Sequence, residues 1–113
     1  MSRSIKLLGF AAIAAFAGSA LAQDAKVERG KAVYAEQKCK MCHSIAGEGN
    51  AKGPLDDVGS KVSAADLKHW LVNPKEMTEK TKSARKPPMK SFASLSAEDQ
   101  DALVAYMLTL KGK

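Results

Sequence analysis

Residues Cys39-Lys40-Met41-Cys42-His43 place two thiols three positions apart, with an imidazole directly after the second. A Cys-x-x-Cys-His run of this kind reads as a c-type haem attachment site. Each thiol can form a thioether to one of the two vinyl groups at a porphyrin edge, and the imidazole that follows then reaches the iron. The expected cofactor is one covalent haem c with its iron, tethered by Cys39 and Cys42, with His43 as an axial ligand. Two other chemistries use part of this set. A redox-active dithiol belongs at the start of a helix in a βαβ setting, and the sequence carries no strand pattern. A structural zinc ion needs four ligands, and beyond these three only His69 remains.

The elements that must position this run are helical. The spacing of Val27, Gly30 and Tyr34 predicts a first helix from about Ala25 to Lys38, leading straight into Cys39. Gly30 within it costs about 1 kcal/mol relative to Ala, which points to close packing there. A second helix opens at Ser63, with Asp66 three residues on as a capping signal, and runs through Leu67, Trp70 and Leu71 until Pro74. Ser96 and Asp99 open a third, whose apolar stripe is Leu103, Tyr106, Met107 and Leu110. The stretches 44–62 and 75–95 read as long irregular loops. Loops of that length suit a small domain when they wrap a large apolar object that is not part of the chain.

The chain has 113 residues and a formal charge of +6. Arg3 and Lys6, an uncharged run from Leu7, and Ala20-Leu21-Ala22 follow the plan of a cleavable signal peptide over residues 1–22. The run from Leu7 to Ala22 amounts to about 24 Å of helix, against a hydrocarbon core of ~30 Å, so no stable membrane insertion is expected after cleavage. The expected product is residues 23–113, one exported domain in the periplasm of a bacterium. A domain so short needs a staple beyond its own core. A disulfide between Cys39 and Cys42 would close too small a loop to supply it.

With these parts in order, the sequence resembles a class I cytochrome c over essentially the whole of residues 23–113. The resemblance implies an all-α cytochrome c fold, with three main helices and long loops wrapped around one covalently bound haem. Gly30 and Tyr34 on the first helix, and Leu103 and Tyr106 on the last, match positions where the two helices cross closely in that family. Gly53-Pro54-Leu55 is similar to the loop whose Pro carbonyl, here that of Pro54, accepts a hydrogen bond from the iron-bound imidazole. Trp70-Leu71-Val72-Asn73-Pro74 is similar to the aromatic helix end that lies against the haem, which places Trp70 in its pocket.

The sixth iron ligand has several candidates: Met41, Met77, Met89, Met107 and His69. Met41 lies inside the attachment loop, Met107 on an apolar stripe, and His69 on a helix facing solvent. Met77, just after Asn73-Pro74, competes with Met89. Met89 follows Pro87-Pro88, whose restricted backbone stiffens a loop, and the family's ligand also follows a Pro-containing loop before the last helix. Met89 is therefore the expected ligand. His/Met ligation raises the reduction potential and leaves no open iron site, which favours electron transfer over catalysis. Lys75, Lys80, Lys82, Arg85, Lys86 and Lys90 crowd the loop around Met89, and Lys38 and Lys40 flank the cysteines. This basic ring suits redox partner proteins with acidic docking faces, met by a monomer in weak, salt-sensitive encounters. Without interleaved aromatics it does not suit nucleic acid.

Overall fold

The computed structural model describes residues 10–112, with side chains from residue 20 onward. Five helices account for most of it: α1 (Phe10–Glu36), α2 (Val58–Lys61), α3 (Ala64–Val72), α4 (Pro74–Thr81) and α5 (Ala97–Thr109). Helix α1 begins at Phe10 instead of Ala25. The intervening residues are rich in Ala, the strongest helix former, and contain no Pro to stop it. Residues 1–9 of the expected leader lie outside the described residues. Among the described residues, no helix is long and apolar enough to cross a membrane. At its other end α1 stops at Glu36, because Lys38 turns into the left-handed region (φ 56°) and redirects the chain into a single 3-10 turn, Cys39–Met41.

Both expected capping signals act as such. The Ser63 hydroxyl accepts from the Asp66 N–H (3.1 Å) at the start of α3, and the Ser96 hydroxyl accepts from the Asp99 N–H (3.1 Å) at the start of α5. Two stretches read as irregular contain structure. A two-residue hairpin, β1 (Ser44–Ile45) with β2 (Glu48–Gly49), pairs Ser44 with Gly49 and Ile45 with Glu48. Pro74 does end α3, and it also opens α4. Asn73 caps the new helix, accepting from the Glu76 N–H (3.3 Å), with proline at the first helical position where no N–H is needed.

The most extensive helix pair is α1 with α5, and Gly30 is where they meet. A Cβ there would run into the Ala102 carbonyl oxygen and lie 2.7 Å from Tyr106 Cβ. Beside this contact Val33 is fully buried, Ala102 and Leu103 are almost so, and the Tyr34 and Tyr106 rings meet edge to face with centroids 5.9 Å apart. At the rim Arg29 grips Asp99 with Nε (2.9 Å) and Nη2 (3.0 Å). Leu67 of α3 joins Val104 and Met107 of α5 in the core cluster, so α3 is laid against the same helix that α1 crosses.

Replacing Gly30→Val is expected to force the two helices apart and destabilise the protein by about 1–3 kcal/mol, read as a lower denaturation midpoint. The Arg29 guanidinium holds the Asp99 carboxyl below its ordinary value of 3.8. Stability contributed by a depressed carboxyl pKa is present above the unfolded value and is lost as pH falls through the folded one. Asp99→Asn is therefore expected to be less stable than the parent at neutral pH. The difference should close once Asp99 protonates, below its unfolded pKa, as denaturation curves across that acid range will show.

Candidate functional site

The turn Cys39–Met41 and the residues after it put the chemistry on one face. Backbone N–H groups of Cys42 and His43 both donate to the Cys39 carbonyl (3.1 and 3.0 Å), so Cys39, Cys42 and His43 stand at helical i, i+3, i+4 positions. Asn50 fixes this turn from below. Its backbone N–H donates to the His43 carbonyl (2.9 Å) and the Lys40 carbonyl (3.0 Å), and its side-chain amide donates to the Met41 carbonyl (3.1 Å). The hairpin that carries Asn50 back turns through Ala46 and Gly47, both at positive φ, and the Ala46 N–H is held by the Asp56 carboxylate (2.6 Å).

The half-buried His43 ring is oriented by a backbone carbonyl 3.1 Å from Nδ1, which leaves Nε2 as the nitrogen with a free lone pair. That carbonyl belongs to Gly53, which corrects the expectation for Pro54. Ser44 pairs with Pro54 as a parallel bridge, its N–H donating to the Gly53 carbonyl (3.0 Å) and its carbonyl accepting from the Leu55 N–H (2.8 Å). This register presents Gly53 to the ring and leaves Pro54 exposed. Burial lowers the His43 pKa, partly offset by the Gly53 contact, and favours the neutral imidazole that metal ligation requires.

Cys39, Cys42 and His43 open onto a cavity of about 760 Å³, within the range of small-molecule and cofactor sites. Tyr34 of α1, Leu67, Trp70 and Leu71 of α3, and Leu103, Val104 and Met107 of α5 supply its walls, and Pro87, Pro88, Met89 and Phe92 supply the loop side. Of the candidate sulfur ligands, Met89 lines the cavity from the loop and Met107 from α5. Met77 is buried (2 % exposed) and is not part of the lining, while Met41 touches the cavity from the attachment turn itself and is 69 % exposed. His69 lies beside Glu76, its Nε2 3.5 Å from the carboxylate, so it is not brought to the cysteines as a fourth zinc ligand.

Two side chains that sequence reasoning passed over hold the loop. Gln100, buried on α5, donates from Nε2 to the carbonyls of Leu95 (3.1 Å), Phe92 (3.3 Å) and Ala93 (3.3 Å). A polar residue on the face that also carries Leu103, Val104 and Met107 was the available signal. Arg85 reaches back to donate from Nη2 to the Cys42 carbonyl; nothing in the basic run distinguished it from its lysine neighbours.

The residues fit a covalently bound porphyrin. Two thiols and an imidazole share one edge of a largely apolar space, and a thioether looks in from the loop. The Tyr34 hydroxyl on the same wall is buried without a hydrogen-bond partner among the described residues, and burial pushes its pKa up to about 12. Such an orphaned polar atom calls for an enclosed group or water. Burial likewise pushes the Cys39 thiol up to about 11, so the free side chain is a neutral thiol.

An all-α chain wrapped around a cavity with this donor set is a small haem-attachment domain. The model for the cytochrome c family matches residues 27–111, and the chain belongs to that family. Its fold is the cytochrome c fold, and its cofactor is covalent haem c with iron. The chain is also similar to cytochrome c oxidase subunit 2 of Alkalihalophilus pseudofirmus, 28 % identical over 92 residues, which are 74 % of this chain and 25 % of that protein. It therefore spans about a quarter of the relative's length. No solved structure matches it.

Gln100→Ala is expected to leave three loop carbonyls without their shared donor and to cost about 1–3 kcal/mol in chemical denaturation of the haem-loaded protein.

Proposed function

We propose that this protein is a periplasmic mono-haem carrier whose iron is held between His43 and Met89. The observation that carries the reading is the cavity itself, with the oriented His43 imidazole on one side and the Met89 thioether on a proline-stiffened loop on another. Haem c bound there supplies one-electron exchange between ferric and ferrous iron. Cys39 and Cys42 anchor it so that it cannot be lost by dilution after export. The Gly53 carbonyl holds the His43 ring and raises its basicity. Leu67, Leu71, Leu103 and Val104 keep water from the cavity, and a thioether ligand favours the ferrous state. With His43 and Met89 both holding the iron, no site on it would be left for a substrate.

The remaining parts of the reading concern export and docking. Residues 1–22 act as the cleaved signal and residues 23–113 as the working monomer. Lys38, Lys40, Lys86 and Lys90 are exposed beside or on the cavity rim, and their charge suits acidic partner faces that meet the protein briefly. A second reading is a cytochrome subunit dedicated to one oxidoreductase complex, favoured by the similarity to an oxidase subunit. Co-purification in fixed stoichiometry with one partner supports it over the free carrier.

Visible spectra of the parent and Met89→Ala in both redox states test the ligation. The substitution is expected to abolish the ferric iron–thioether band and to let carbon monoxide bind the ferrous protein rapidly at neutral pH. A band that survives the substitution removes Met89 from the iron.

A further inference from the structure

The loop that carries Met89 runs from the end of α4 to the start of α5, and its attachments are unevenly placed. Among the described residues, its hydrogen bonds to other elements lie at its two ends. On the far side the Phe92 N–H donates to the Leu71 carbonyl (2.7 Å), the Ser91 hydroxyl donates to the Val72 carbonyl (3.2 Å), and Gln100 gathers the carbonyls beyond. On the near side the tie is Arg85. Lys82, at φ 55°, ends α4 in the left-handed region, and the Ser83 hydroxyl accepts from the Arg85 N–H (3.4 Å), which turns that side chain back toward the attachment turn.

The guanidinium then does two things at once. Nη2 donates to the Cys42 carbonyl, and Nη1 lies against Gly53 so closely that a Cβ at that position would collide with it. Gly53 is the residue whose carbonyl orients His43, and Cys42 is a tether. Arg85 thus touches both supports of the attachment side from a position four residues before Met89, with the stiff Pro87-Pro88 pair between. Its planar fork can hold two neighbouring contacts in one geometry, whereas a lysine ammonium is a flexible point charge. A hydrogen bond from a charged donor to a carbonyl is also stronger than a neutral one.

We propose that Arg85 is a positioning residue that clips the Met89 loop to the Cys42–Gly53 side of the cavity and so keeps the Met89 thioether in place across from His43. The inference rests on the His43/Met89 ligation proposed above. Without the clip no hydrogen bond among the described residues ties the loop to the attachment side of the cavity, and the thioether is displaced more readily by a competing ligand.

The test titrates the ferric, haem-loaded protein with imidazole and follows loss of the iron–thioether band in the parent, Arg85→Ala, Arg85→Lys and Met89→Ala. Arg85→Ala is expected to need about tenfold less imidazole for half displacement, the loss of one charge-assisted bond. Arg85→Lys is expected to fall between it and the parent, because it restores charge without the fork. A parent-like midpoint in Arg85→Ala overturns the proposal, and so does a change in Arg85→Lys as large as in Arg85→Ala. If Arg85→Ala loads haem poorly, Arg85→Gln is read by the same two criteria. Met89→Ala separates the two claims: a band that persists there defeats the ligation itself, whatever the Arg85 variants do.

Discussion

The close crossing of α1 and α5 at Gly30 is the constraint on which the remaining geometry depends. With no side chain at that position, the backbone of one helix rests on the Ala102 carbonyl of the other. That approach fixes where α1 ends, and therefore where Cys39 and Cys42 emerge relative to Leu103, Val104 and Met107 on α5. A wider crossing would carry the attachment turn away from the wall it must face. Val33, fully buried, and the Tyr34–Tyr106 pair fill the space that the crossing leaves. The helices thus set the width of the cavity before any loop is considered.

Around that frame the loops act as clamps of different kinds. The attachment turn is held by Asn50 through both its backbone N–H and its side-chain amide, and the Gly53 carbonyl orients the His43 ring. The Met89 loop is held at one end by the Phe92 N–H and the Gln100 amide and at the other by Arg85. Backbone contacts tolerate many sequences, whereas a buried amide reaching three carbonyls has few substitutes.

Much of the site could be read in the sequence because its chemistry is compact. Five consecutive residues announced the tether and the imidazole, and the family match over residues 27–111 bears out the cofactor and the fold. The caps at Ser63 and Ser96 were legible for the same reason: each signal lies within one helical turn. Helix α4 was legible in principle, since Asn73-Pro74 followed by Glu76 is a start as well as a stop, but a proline draws attention first as a terminator. The exchange of Gly53 for Pro54 and the reach of Arg85 to Cys42 were not legible. The first depends on the register of the bridge between Ser44 and Pro54, and the second on a contact between segments 43 residues apart; helical periodicity and cap signals contain neither. The stretch before Ala25 was not read as helix, although its alanines favour one.

The order of these contacts along the chain has a consequence for assembly. The turn, its Asn50 support and the Gly53 carbonyl all come from one short continuous segment, so this side can form while the rest of the chain is still unorganised. The opposing wall, by contrast, waits for α5, the last helix to be made, and local contacts close faster than distant ones. The thiols are therefore presented on an ordered scaffold while the space before them is still open. Tethering a large rigid group at that stage needs no door in the finished fold, and the final helix closes over something already in place.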